Sequence, residues 1–271
     1  RPLSRVADAA SELASGGLDT RLPEDADPDL GRLAQSFNGM ADAVQTRIQR
    51  EARFASDVSH ELRSPITALT AAVEVLDARR ADMPDRSQQA LDVVVNQVRR
   101  FDQLVLDLLE LSRLDVGVGD LNTEEVLLPD LTARVARRYG FAHIPIDADD
   151  GADQPVPIDK RRYERVIANL LDNARQHGGG PVRIAITPSF ELGHLEMLVA
   201  VEDAGPGIAI SERTRIFERF ARGTASRHRI GTGLGLALVL EHTERHGGRA
   251  WVEDRPGGGS RFIVSFPVGD R

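Results

Sequence analysis

Apolar residues recur in steps of three and four along most of the first 110 positions. Leu30, Leu33, Phe37, Met40, Val44 and Ile48 form one such stripe, and Phe54, Val58, Leu62, Ile66, Leu69, Val73 and Leu76 resume it. This is the period of an amphipathic helix carrying a coiled-coil seam. The stretch ARRADMPDRS (78–87) breaks it with Pro84 and a cluster of charges, and Leu91, Val94, Val98, Phe101, Val105 and Leu108 then mark a further helix. Two amphipathic helices joined by a short connection predict an antiparallel hairpin. One hairpin leaves apolar surface uncovered, so the pattern predicts a dimer that forms a four-helix bundle. Upstream, SGGLDTRLPEDADPD (15–29) is rich in turn and breaker residues and predicts a loop between two helices.

Beyond GVGD (117–120) the period changes. VRIAITP (182–188), LEMLVAVED (195–203), RAWVED (249–254) and RFIVSF (261–266) alternate and are rich in β-branched residues, which predicts strands. Helical patterning returns at about 125–140, 159–177 and 234–246. Strands and helices mixed in this way predict an α/β sandwich, one sheet backed by helices.

One short stretch of the first helical region stands apart. In FASDVSHELRSPIT (54–67) His60 lies two residues from both Val58 and Leu62 of the buried stripe. At about 100° per residue it points away from that stripe, into solvent. Glu61 is its neighbour. Pro65 follows within one turn and takes an N–H from the helix, which predicts a bend there.

Composition narrows the classes. The chain has 271 residues, 41% hydrophobic but only 4% aromatic, which fits aliphatic packing in two or three modules. A net charge of −8 argues against a nucleic-acid partner. There are no cysteines, so disulfides, thiolate metal sites and Cys nucleophiles are excluded. The longest nearly apolar run, LGLALVL (234–240), is far below the ~20 residues needed to span a bilayer. The chain starts at Arg1, and the expectation is a piece of a longer protein whose missing N-terminal part holds membrane spans.

Three clusters in the second half carry chemistry. In NLLDN (169–173) Asn169 and Asn173 are four apart and share a helix face. Asn is a poor helix-interior residue, but its neutral carbonyl oxygen suits a Mg²⁺ already neutralised by phosphates. DAGPGI (203–208) follows a predicted strand, and Asp203 there could accept from an exocyclic amine, as on adenine. GTGLGLAL (231–238) runs into a helix, so its backbone N–H groups and the helix N-terminus favour a phosphate. It has neither the GK[ST] of a Walker loop nor the GxGxxG spacing. His242 and His246, four apart, have a chelating spacing without a third ligand and are expected on a solvated face.

In this order the stretches resemble the boxes of a bacterial two-component sensor histidine kinase of the HisKA type. FASDVSHELRSPIT resembles the phosphoacceptor box, NLLDNA the asparagine box, DAGPGI and GTGLGLAL the two glycine boxes, and IFERF (216–220) the phenylalanine box. The first fifty residues resemble a HAMP signal-relay module. The resemblance implies a HAMP-like relay at 1–50, a dimerisation and phosphotransfer hairpin at 51–116, and an ATP-binding α/β sandwich of the gyrase, chaperone and kinase superfamily (GHKL or Bergerat type) at 120–271.

It implies a reaction as well. His60 takes the γ-phosphoryl group of ATP and passes it to an aspartate of a cognate response regulator. Glu61 is the general base, Asn169 the Mg²⁺ ligand, and Arg222, with Arg219 as fallback, the cation at the γ-phosphate. Nucleotide contacts are implied at Asn169, Asn173, Arg175, His177, Asp203, Gly205, Gly207, Ile208, Gly231, Thr232, Gly233, Leu234, Gly235 and Leu236, under a lid at 221–230. A homodimer and a membrane tether through an absent N-terminal part complete the expectation, with this chain the cytoplasmic portion.

Two departures from the family pattern matter. Ser64 stands where Thr or Asn is usual, a position that orients water for dephosphorylating the regulator. Gln176 and His177 stand where Lys and Tyr or His are usual, so the phosphate-facing Lys is missing and Arg175 or Lys160 is the expected substitute. The rival readings are a relay that binds nucleotide without catalysis and an ATPase of the same superfold.

Overall fold

The computed structural model describes residues 2–14, 17, 19–23, 27–115, 121–191, 193–221 and 232–269. Within the helices and strands, the side chains of 2, 3, 13, 14, 28, 48, 49, 51–61, 63, 64, 115 and 191 lie outside this description, Ile48, Phe54 and Val58 of the predicted stripe among them. A short helix α1 (Pro2–Ala14) precedes α2 (Pro28–Ala78), which runs 51 residues without a break. Asp27 caps α2 by accepting from the amides of Asp29 and Leu30, with Pro28 opening the first turn. The helix continues through Pro65, whose side chain is exposed.

A 3₁₀ turn at Arg80–Asp82 returns the chain into α3 (Asp85–Asp115), antiparallel to α2. Ile66 packs against Val105 and Leu109, and Val73 against Leu91 and Val95. These pairs fix the register of the hairpin. They also divide the predicted stripe, because Leu69, Leu76, Val94, Phe101 and Leu108 remain exposed. The hairpin therefore has a second apolar face beside the one that closes it. Near α1, Ala9, Leu22, Ala34 and Phe37 form a separate small core, while Leu33, Met40 and Val44 stay exposed.

The second half is an α/β sandwich. Its sheet has the order β2 (Ile146–Ala148), β4 (Pro181–Glu191), β5 (His194–Asp203), β7 (Ser260–Pro267), β6 (Ala250–Asp254). β2 pairs parallel to β4, and the other neighbours are antiparallel. A two-stranded sheet of β1 (Glu124–Leu127) and β3 (Pro155–Ile158) stands beside it.

The four strands β4 to β7 and the three helices α4 (Leu128–Arg138), α5 (Lys160–His177) and α6 (Gly235–Arg245) lie where the patterning placed them. Alternate residues of the strands, among them Ile184, Ile186, Met197, Val199 and Val201, bury against the helices. Tyr163 of α5 is fully enclosed, its hydroxyl 2.5 Å from Thr132 Oγ1 of α4 and its ring against Phe266. Asp159 caps α5 through the amides of Arg161 and Arg162. That cap and the Tyr163 packing set the height of α5, and with it the Asn169–Asn173 face above the sheet.

Candidate functional site

A cavity of 680 Å³ opens where α5, the end of β5, the start of α6 and the side of α3 meet. From α5 it is lined by Asn169, Asn173, Arg175 and His177, so the helical spacing that put the two asparagines on one face also aims that face here. Asn169 Nδ2 is buried without a hydrogen-bond partner, and its Oδ1 lies against the start of α6, 3.7 Å from where a Cβ on Gly235 would sit. A buried amide N–H group without a partner beside a cavity is suited to donating to an acceptor that a ligand brings.

Asp203 ends β5 and is buried, yet it lines the cavity. Its Oδ1 accepts from the amide of Gly205 at 2.8 Å and of Ser260 at 3.0 Å. These two bonds fix the carboxylate plane. Gly178, just past α5, presses on it: a Cβ there would lie 2.4 Å from Asp203 Cβ. Gly207 and Ile208 continue the wall, whereas Gly205 sits behind it against Gly178.

The start of α6 forms the next wall through Thr232, Gly233, Gly235 and Leu236. No side chain among the described residues caps this helix, so its first amides are free to meet an anion. Gly233 has φ +73° and accepts from the amide of Phe220, itself at φ 59°. That bond closes a stem between Phe220 and Gly233, the described ends on either side of residues 222–231. Phe217 of the IFERF stretch sits in the core, edge-on to Phe262, while Ile216 reaches the cavity.

Several expected residues fall elsewhere. Leu234 is fully buried with Leu111, Leu114, Ala237 and Leu238, so it packs α6 onto α3 and does not line the cavity. Lys160 donates to Glu124 at 2.6 Å, at the far end of α5. It is no substitute for a phosphate-facing Lys. Arg175 does line the cavity, but its guanidinium is bound to Asp172. His242 and His246 are not on a solvated face. His242 is 1% exposed, with Nε2 3.0 Å from Glu110, and His246 Nε2 accepts from the Asp159 amide at 3.1 Å. Among the described residues no group of three His, Asp or Glu side chains is arranged to hold a metal. His60, Glu61 and Ser64 have their backbone in α2 and their side chains outside the described residues, and Arg222 and Gly231 lie wholly outside them.

No motif announces the side of the cavity contributed by α3. Arg165 of α5 donates to both Asp107 and Glu110, and Thr232 Oγ1 donates to Asp107 Oδ2 at 3.3 Å. Burial pushes the Asp107 carboxyl above the ordinary range in spite of Arg165. Burial acts on Glu110 in the same sense, but the His242 hydrogen bond and the Arg165 charge together hold it below that range. Tyr139, Phe141, Ser260 and Phe262 also line the cavity without belonging to any of the motifs.

Residues 158–270 match the family described as histidine kinase-, DNA gyrase B- and HSP90-like ATPase. Residues 50–117 match the His Kinase A (phospho-acceptor) domain, and residues 1–46 the HAMP domain. The signal transduction histidine-protein kinase AfsQ2 of Streptomyces coelicolor is 35% identical over 98% of the chain and 52% of its own length. The sensor histidine kinase MtrB of Mycobacterium tuberculosis is 35% identical over 98% of the chain and 49% of its own length. The chain thus spans about half the length of these relatives. Among solved structures, the Acinetobacter baumannii histidine kinase AdeS superposes with a TM-score of 0.53 at 27% identity, covering 78% of this chain and 98% of that one.

Proposed function

We propose a reaction for a chain that belongs to the two-component sensor histidine kinases: it transfers the γ-phosphoryl group of ATP to His60 and then to an aspartate of a response regulator. One observation carries the site assignment. The Asn169–Asn173 face, the fixed Asp203 carboxylate and the uncapped start of α6 converge on a single cavity. Each suits a different part of a nucleotide triphosphate.

Asp203 Oδ2 takes the adenine amine, its other oxygen being committed to two backbone amides. The α6 N-terminus and the glycines beside it receive phosphate oxygens. Asn169, with Asn173 near it, would hold a Mg²⁺ through a neutral amide oxygen, while the orphaned Nδ2 of Asn169 fits a phosphate oxygen as acceptor. The ion supplies charge neutralisation at the phosphates. An imidazole nitrogen of His60 forms the new N–P bond as the bond from the γ-phosphorus to the bridging oxygen breaks and ADP leaves. Glu61 accepts the ring proton. Arg222, two residues after Phe220 in the chain, balances charge on the transferring group, since such transfers depend mainly on positioning and charge. Ser64 orients water when the regulator is dephosphorylated.

We divide the chain as a HAMP-like relay at 1–50, a phosphotransfer hairpin at 51–116 and an ATP-binding domain at 120–271. The exposed apolar face of the hairpin pairs with a second copy of the chain. No described helix is long and apolar enough to cross a membrane.

Incubation with γ-labelled ATP tests the reading. Acid-labile, alkali-stable label in the wild type, absent from His60→Gln, is the expected result. Abundant free phosphate without protein-bound label would instead identify an ATPase, and binding without either product a relay.

A further inference from the structure

The turn that leads into α6 already meets an anion. Thr232 lines the cavity, and its Oγ1 donates to Asp107 Oδ2 of α3 at 3.3 Å. Gln103 donates to the other carboxylate oxygen at 2.6 Å, and Arg165 joins it there. Asp107 itself lines the cavity and is 3% exposed. A buried carboxylate therefore stands beside the positive end of α6, the place suited to phosphate oxygens.

Its charge is compensated only in part. Asp107 and Glu110 both accept from the one guanidinium of Arg165. Burial raises the Asp107 carboxyl in spite of that partner. Arg99 and Arg100 line the same wall, but they lie eight and seven residues back, about 10–12 Å along the helix. The α3 group that meets the turn at Thr232 is thus a carboxylate. A phosphate brought to the same turn would stand against a like charge in a poorly solvated site, where like charges disfavour one another.

Asp107 reaches the turn only because α3 is seated on the sandwich. Glu110 meets His242, Arg245 donates to the Leu114 carbonyl near the end of α3, and Leu111 and Leu114 pack on Leu234, Ala237 and Leu238. Asp107 lies level with Ile66 of α2, which packs between Val105 and Leu109. His60 is six residues before Ile66, about 9 Å further from the hairpin turn. In this arrangement the turn at Thr232 faces Asp107 and stops short of the level of His60.

We propose that Asp107 stands in for a phosphate while α3 is docked, so that seating of the nucleotide domain on α3 and binding of the ATP phosphates oppose each other. This rests on the reading that the cavity holds ATP. ATP then loosens the seam by the same factor by which the seam weakens ATP, as linkage requires. The loaded domain is released from α3 and can move to the level of His60.

The test uses the full chain with Mg²⁺ and the β,γ-imido analogue of ATP, which cannot pass on its γ-phosphate. Analogue binding is measured by calorimetry, and adenosine binding by ligand-observed NMR. Asp107→Asn keeps the shape of the side chain and removes its charge. It should tighten the analogue roughly tenfold, the scale of an ordinary coupling between two sites, and leave adenosine unchanged. Leu114→Asp opens the seam from its far end and should tighten the analogue to a similar degree, with Asp107→Asn adding little on top of it. Analogue binding that is unchanged or weaker in Asp107→Asn overturns the proposal. Equal gains for adenosine overturn it too, since they mean a wider cavity. So do fully additive effects in the double variant, which mean that Asp107 acts without docking, and a loss of both ligands in Leu114→Asp, which makes the seam a support of the cavity. Asp203→Asn should weaken both ligands whatever Asp107 does, and unchanged binding there removes the underlying reading itself.

Discussion

At the scale of single residues, Asp203 shows how much of the site a motif reveals. DAGPGI marked the carboxylate and the glycines after it, because Asp beside Gly at a strand end is a local signal. Nothing local announced Gly178 or Ser260, which come from other elements and meet Asp203 only after folding. Gly178 is needed for space, not for φ. In Gly178→Ala the new methyl would overlap Asp203, and a misfit of that kind costs about 1–3 kcal/mol. A lower melting temperature together with weaker ATP binding is expected, measured by calorimetry and titration. His246 supplies a second prediction. Its Nδ1–H donates to the His242 carbonyl at 2.7 Å, so neutral Nε2 accepts from the Asp159 amide that starts α5. Burial, more than any charge, holds its pKa below the ordinary value. The unfolded chain therefore binds this proton first, and stability contributed here is present above about pH 6.5 and lost as pH falls below it. Thermal melts between pH 7.5 and 5 should show that loss, and His246→Gln should show less of it.

At the scale of elements, strong periods were legible and short paired pieces were not. β4, β5, β6 and β7 alternate over several residues and bury one face, so their sequence carries the pattern. β1, β2 and β3 have three or four residues each and gain their strand geometry from a neighbour, which no window of sequence contains. The hairpin stripe was visible, but its division into two faces was not. Whether Leu69 or Ile66 faces α3 depends on the register of two helices, which is decided by packing across the pair. The stem of the 222–231 segment is likewise a tertiary product. Gly233 holds φ +73° with Phe220 Cα 3.0 Å from where a Cβ would sit. A left-handed non-glycine residue costs about 1–2 kcal/mol before that contact is counted. Gly233→Ala should therefore weaken ATP binding more than it lowers the melting temperature, because Gly233 lines the cavity and is not part of the core. Matched titrations and melts of the two proteins check this.

At the scale of the whole molecule, the charges that join α3 to the sandwich were invisible because charge pairing has no period. Asp107 and Arg165 are 58 residues apart and read separately as ordinary solvated residues. The proposed dimer, in contrast, rests on surface that the chain cannot cover alone. Phe101 is 48% exposed and Leu69 51%, and Leu76, Val94 and Leu108 of the same two helices are exposed with them. Such surface along a rigid hairpin is what a second hairpin covers in a four-helix bundle. Phe101→Glu puts a charge where an aromatic ring would be buried, and desolvating an unpaired carboxylate opposes association strongly. Sedimentation equilibrium should then give a dimer mass for the wild type and a monomer mass for Phe101→Glu. The sandwich has its own core, which does not include Phe101. ATP binding by the variant should therefore survive, and it separates a lost interface from a lost fold. A wild-type monomer at micromolar concentration would mean that the second apolar face serves some partner other than another copy of this chain.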